Sequence, residues 1–190
     1  IAMATAKIRM GMAECIIAGG TESMSLVPTA GWKTVASYSI AKDEPDYYLS
    51  MGLTAEAVAK EYKVSREDQD AFSYNSHLKA GNAIKEGYFK SGILPISVDE
   101  VYLDVNGKKQ KRNFTVDTDE GVRADTSPEG LAKLKPAFAM GGTVTAGNSS
   151  QTSDGAAFVI VMSEKMVNEL GLKPIARLVN CASAGVHPRI

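Results

Sequence analysis

Short side chains bearing hydroxyls and amides gather in one stretch of the 190-residue chain, Thr143-Val144-Thr145-Ala146-Gly147-Asn148-Ser149-Ser150-Gln151-Thr152-Ser153-Asp154. Such a run can bring backbone N–H groups and hydroxyls close to an extended ligand, because little side-chain bulk stands in the way. The same residues can equally form a tight turn whose Ser, Asn and Asp bond their own backbone. Groups with stronger chemistry are few. Cys15 and Cys181 show no CxxC or zinc spacing, so neither a disulfide framework nor a cysteine metal site is indicated. His77 and His187 are too few for a metal cluster. Cys15 lies in the apolar run at 14–18 and reads as a packed thiol rather than a nucleophile. Gly19-Gly20 lack the spacing and the lysine of a phosphate-binding loop and read as a tight strand exit.

The elements that must hold these residues follow from periodicity. Residues 1–10 form helix-favouring sequence with no N-cap ahead of them, which predicts a buried helix whose start lies upstream and which ends at Gly11. The apolar run at 14–18 then predicts a short buried strand, and helix followed by strand argues for α/β layering with a parallel sheet. Residues 26–50 lose periodicity and gain Pro28, Gly31 and Pro45, the mark of a long excursion from the core. A helix opening at Met51 places Ala55, Val58, Ala59 and Tyr62 on one face. Ser65 to Asp68 forms a capping-box-like start for a longer helix that turns Phe72, Ala80, Ala83 and Ile84 inward and stops at Gly87. His77, on that helix among polar neighbours, reads as a surface or half-buried histidine.

Residues 93–96 and 101–105 read as strands, and Asn106-Gly107 predicts a hairpin pairing the second with residues 113–116. Lys108, Lys109, Lys111 and Arg112 crowd beyond the turn and read as a solvated face. Phe158-Val159-Ile160-Val161-Met162 are apolar on both faces, the pattern of a buried central strand. Ser163 starts a short helix ending near Gly171, and residues 175–181 predict one more strand. A hydrophobic content of 44% with 23% charged residues is ordinary for a globular protein, and a net charge of −1 gives no global attraction to nucleic acid or an anionic membrane. No apolar run reaches membrane-spanning length and no secretory signal is visible, so an intracellular, reducing compartment is expected, cytoplasmic if the source is bacterial.

Three motifs resemble the thiolase family, in its order. Ala18-Gly19-Gly20-Thr21-Glu22-Ser23-Met24-Ser25 is similar to its AGG-x-ESMS segment, Glu129-Gly130-Leu131-Ala132-Lys133-Leu134-Lys135-Pro136-Ala137-Phe138 to its LAKLKPAF segment, and the stretch from Thr143 to the segment that re-enters the core. The resemblance covers essentially the whole chain. It implies part of the layered α/β thiolase fold, carrying an α+β loop-domain insertion. Residues 1–27 would end the N-terminal domain, 28–142 form the loop domain, 143–174 return to the N-terminal domain, and 175–190 begin the C-terminal domain. The chain then looks like an internal fragment of an oligomeric enzyme, a homodimer or homotetramer.

The implied chemistry is acyl transfer between coenzyme A thioesters: thiolytic cleavage of 3-ketoacyl-CoA by CoA, with acyl-CoA and CoA as substrates and no tightly bound cofactor. In the family the nucleophilic cysteine stands at a helix N-terminus in a CSSG-type motif ahead of the residues matching Ile1-Ala2-Met3-Ala4, where a thiolate is stabilised. The acid/base histidine and second cysteine belong to the other half, so the 190 residues alone are expected to be inactive. Gly185-Val186-His187-Pro188 resembles a GVxP segment in which His187 holds the variable position. By resemblance Ala146 and Ser150 contact the pantetheine arm, Phe138 walls it, Met51 lines the acyl end, and Arg123 lies near the nucleotide. Ser50, Gly130 and Thr152 depart from the acetoacetyl-CoA thiolase pattern, and the resemblance leans to the β-oxidation enzymes. Acetoacetyl-CoA synthesis and a non-catalytic CoA- or lipid-binding module are the alternatives.

Overall fold

A computed structural model describes all residues, 1–190. The chain divides into two compact units, one of residues 1–48 and 152–188, the other of 49–151 with Arg189 and Ile190.

In the first unit α1 (Ala2–Arg9) ends where Gly11 takes a φ of 71°, and leads into β1 (Cys15–Ser23). Strand β4 (Asp154–Met162) pairs with β1 from Cys15↔Met162 to Ser23↔Asp154, and the pairing is antiparallel. The expected parallel sheet is therefore not what forms here: the two strands run in opposite directions because the chain leaves β1 and returns into β4 at the same end of the ladder. Gly19-Gly20 are not a strand exit but the middle of β1, with Gly19 opposite Phe158. A Cβ on Gly19 would fall 2.3 Å from the Phe158 ring, so the ring lies directly over the bare glycine backbone.

Burial in this unit differs from the sequence reading. Phe158 and Ile160 are 63% and 67% exposed, although their segment reads as a buried central strand. With two strands the ladder leaves much of both faces uncovered, and α1 is the helix that packs most against it. The Cys15 thiol is exposed for the same reason, and Ala4 is the one buried residue of α1. Ser163 caps α6 (Glu164–Glu169) by accepting the N–H of Met166 at 3.1 Å, and Gly171 (φ 61°) ends that turn, as its sequence signals predict. Residues 175–181 form no strand, because no neighbouring segment bonds to them. Along the chain of this unit, α2 (Tyr38–Asp43) and a 3-10 turn (Pro45–Tyr48) follow β1.

The second unit starts with α3 (Met51–Glu61), capped by Ser50, and α4 (Arg66–Lys85). Ser65 accepts the N–H of Asp68 at 3.0 Å, the expected N-cap, while the Asp68 carboxylate accepts the Ser65 hydroxyl at 2.7 Å in place of the Ser65 N–H of a full capping box. Strands β2 (Ile96–Leu103) and β3 (Lys109–Val116) form an antiparallel hairpin around Asn106-Gly107, with Gly107 at φ 73°. The two strands expected at 93–96 and 101–105 are thus one: pairing continues through Asp99 and Glu100, opposite Asn113 and Arg112. Asn113 donates to Asp99 at 2.9 Å and Arg112 pairs with Glu100, so cross-strand partners satisfy the two acids at the centre. A short helix, α5 (Pro128–Ala132), follows, capped by Ser127.

Helix α4 turns Ala80, Ala83 and Ile84 inward as expected, all three half-buried, but not Phe72. Phe72 is 78% exposed. Arg66, Gln69, Asp70, Ser73 and His77 are buried or half-buried, and their spacing places them along one side of the helix. Over its first three turns the inward stripe is polar, and there it faces the loop rich in hydroxyls.

Candidate functional site

The loop from Gly142 to Ser149 has little regular structure of its own, so its backbone groups need partners from elsewhere. Three sets of contacts supply them. Glu56, on α3, reaches the loop's start: its carboxylate accepts the N–H of Thr143 at 3.0 Å and of Val144 at 2.9 Å, and the Thr143 hydroxyl at 3.3 Å. A Cβ on Gly142 would lie 2.1 Å from Glu56 Oε1, so glycine is what lets the carboxylate in. On the other side the Pro136–Phe138 segment runs beside the loop, with a bridge from Pro136 to Thr145 and the Ala137 N–H donating to the Val144 carbonyl at 2.9 Å.

The polar stripe of α4 supplies the third set. Asp70, 7% exposed, accepts from Arg66 Nε at 2.7 Å and from Asn148 Nδ2 at 3.0 Å. Arg66 spends its remaining reach on the carbonyls of Leu131 and Leu134, at 2.7 and 3.0 Å. Gln69 donates to the Thr143 hydroxyl at 3.0 Å, and the Ser73 hydroxyl donates to the Gly147 carbonyl. Inside the loop, Asn148 accepts the Thr145 N–H at 2.7 Å and donates to the Thr143 carbonyl at 3.1 Å. Thr145 is fully buried and its hydroxyl accepts from the N–H groups of Gly147 and Asn148. Both sequence readings of the stretch thus have structural content: the loop caps itself, and it is also pinned from two helices.

The five residues singled out from the sequence fall around this loop unevenly. Ala146 is exposed at its tip, between the buried Thr145 and the half-buried Gly147. Ser150 is exposed at its end and donates its hydroxyl to the Gln151 carbonyl at 3.1 Å. Phe138 stacks on α3: a Cβ on Gly52 would sit 2.1 Å from its ring, which explains why Gly52 is buried bare. Met51, next to Gly52, is exposed. Gly52 thus brings the start of α3 and Phe138 together beside the loop. Arg123 stands on another segment, its N–H donating to His77 Nδ1 at 3.2 Å. That segment touches the loop's end through Gly121, where a Cβ would fall 1.9 Å from Gln151 Nε2.

The arrangement is a rigid polar loop with an aromatic ring at its side. Its carboxylates and amides are consumed internally, which leaves the exposed tip, Ser150 and the Phe138 face to meet a ligand that is polar along one side and apolar along another. Neither cysteine belongs to it, and no group of His, Cys, Asp and Glu could hold a metal ion. Sequence reasoning missed Glu56, Arg66 and Asp70, and with them the tie from Asn148 to α4. The signal for the α4 residues was available as a polar stripe at helical spacing; Glu56 left none.

Comparison with known proteins agrees with this fold. The 3-ketoacyl-CoA thiolase of Bacillus subtilis is 48% identical over 190 residues, covering 100% of this chain and 49% of that protein. An acetyl-CoA acetyltransferase of Syntrophomonas wolfei is 39% identical over 208 residues, again over 100% of the chain and 49% of the relative. The crystal structure of the Bacillus anthracis acetyl-CoA acetyltransferase superposes with a TM-score of 0.78 at 36% identity, over 99% of this chain and 48% of that one. The dimeric peroxisomal thiolase of Saccharomyces cerevisiae gives 0.73 at 36% identity, over 90% and 42%. The chain spans about half the length of the curated relatives it matches. The model of the thiolase N-terminal domain matches residues 1–165, and the chain belongs to the thiolase family.

Proposed function

We propose that the protein acts as a thiolase-type acyltransferase, cleaving 3-ketoacyl-CoA with CoA to give acetyl-CoA and a shortened acyl-CoA, and that the loop at 143–150 receives the pantetheine arm. The observation that carries this reading is the loop itself: short side chains at its tip, a backbone held from α3 and α4, and the Phe138 ring alongside. Pantetheine has that dual character, amides along an otherwise apolar chain. Ala146 and Ser150 meet it by backbone and hydroxyl, Phe138 walls it, and the exposed Met51 faces the acyl end. Arg123 takes the nucleotide end, where a guanidinium can stack on adenine or meet phosphate. Residues 28–142 serve as the loop domain, and the active protein is a homodimer or homotetramer. No nucleophile–base pair stands beside the loop, so the 190 residues by themselves give no turnover.

Acetyl-CoA acetyltransferases among the relatives favour a second reading, synthesis of acetoacetyl-CoA from two acetyl-CoA. Consumption of 3-ketoacyl-CoA by CoA across acyl lengths, measured on the intact protein, separates the two. Thiolysis of long substrates supports the first; activity confined to the four-carbon substrate supports the second. Loss of one hydroxyl contact in Ser150→Ala should weaken CoA about five-fold. Wild-type affinity in that variant removes Ser150 from the site, and no thiolysis at any length refutes the proposal.

A further inference from the structure

The contact that stands apart in this molecule is Glu56. A carboxylate in the middle of α3 reaches out of its helix to accept two consecutive backbone N–H groups, Thr143 at 3.0 Å and Val144 at 2.9 Å. Consecutive N–H groups converging on one point are an anion-binding arrangement, and here the anion is supplied from within. Access depends on two neighbours. Gly141 turns the chain with a φ of 70°, and Gly142 leaves open the space that a Cβ would fill at 2.1 Å from Oε1. The helix that carries Glu56 begins at Met51 and bears Gly52, on which Phe138 rests. Glu56 therefore joins the segment assigned to the acyl end with the loop assigned to the pantetheine arm.

We propose that Glu56 is a positioning residue for coenzyme A thioesters: by clamping the N–H groups of Thr143 and Val144 through the gap left by Gly142, it fixes the loop that presents Ala146 and Ser150 at a set distance from Phe138 and Met51. This rests on the CoA-binding reading above. Glu56 itself touches no ligand. Its effect is preorganisation, so losing it should act on binding, with the loop sampling conformations that the ligand must then order.

Two substitutions attack the clamp from opposite sides. Glu56→Gln keeps the shape but turns an amide NH₂ toward backbone donors. Gly142→Ala keeps the carboxylate and occupies its space; Gly142 has no positive φ, so the change is steric. In the intact protein, with coenzyme A as the probe, each variant should bind about ten-fold more weakly, the loss of roughly one charge-assisted hydrogen bond. The double variant should be no weaker than the weaker single, because both remove one contact. KM should rise with kcat held within about two-fold. Amide exchange should quicken across 141–149 and stay unchanged in the hairpin at 96–116. Unchanged affinity in Glu56→Gln, which stands even if Gly142→Ala fails to fold, overturns the proposal, as does about hundred-fold multiplicative weakening in the double variant. A wild-type protein that fails to bind coenzyme A overturns the CoA-binding reading instead, and exchange at 141–149 then still decides whether the clamp exists.

Discussion

Replacing Asp70 by alanine tests whether the loop is held by α4. The carboxylate is nearly buried, its side chain 10% exposed, and it serves two partners at once, Arg66 Nε at 2.7 Å and Asn148 Nδ2 at 3.0 Å. Breaking a buried pair from one side typically costs about 3–5 kcal/mol, because the other charge is stranded. Here the stranding is incomplete. Arg66 keeps the carbonyls of Leu131 and Leu134, and Asn148 keeps the carbonyl of Thr143 at 3.1 Å. Arg66 Nε alone loses its acceptor while both residues stay anchored through other bonds, so the cost falls to about 2 kcal/mol, close to the net value of one hydrogen bond to a charged group. That figure corresponds to about a 30-fold increase in the opening of the loop. The assay is amide exchange on the intact protein at native conditions, comparing residues 143–149 with the hairpin at 96–116 as an internal control. Protection should drop in the loop and hold in the hairpin. Unchanged loop protection, or an equal loss in both regions, would refute the argument.

Other perturbations read other parts of the structure. The Asp154 carboxyl is held below the usual carboxylate range by the Ser25 hydroxyl and then by the Ser25 N–H, which donates at 2.9 Å. Its folded value is depressed, so the stabilisation of the turn at 23–27 is complete above the unfolded aspartate range and lost as pH falls through the lowered native value. A carboxyl titration by NMR should show a midpoint below that of a free aspartate, moving up in Ser25→Ala; an unshifted midpoint contradicts the geometry. Gly147→Ala would set a Cβ 2.4 Å from Leu134 Cδ1 and 2.6 Å from Leu131 Cδ2. Overpacking against the buried Leu131 should destabilise by about 1–3 kcal/mol, seen as a lower unfolding midpoint, and an unchanged midpoint would mean that the leucines yield freely.

What the sequence disclosed was local. Ser65 with Asp68, Ser163 before α6, and Asn106-Gly107 act within a few residues, so their chemistry can be read without knowing what lies across the fold. Burial was misread because it depends on partners. Phe72 looks like a core residue on an amphipathic helix, but the neighbour of α4 is a loop that needs donors and acceptors, and the polar stripe turns inward to satisfy it. Strand β4 looks central by hydrophobicity, yet hydrophobicity says nothing about how many strands flank it. Phe138, Ala146 and Ser150 were reached only through family resemblance. Glu56 was hidden because its partners lie 87 and 88 positions along the chain and are backbone groups, which carry no residue-type signature.

The antiparallel ladder of the first unit also has a kinetic consequence. Its nearest pair, Ser23↔Asp154, closes a loop on the order of 130 residues, a slow and entropically costly event for an unstructured chain. Residues 49–151, however, form a compact unit of their own. If they order first, the loop that remains flexible shrinks to roughly 30 residues, and closure becomes easier by about 1.3 kcal/mol, close to ten-fold in probability. The inserted unit then acts as a folding template for the strands it interrupts, so that assembly of the loop at 142–149 precedes formation of the sheet.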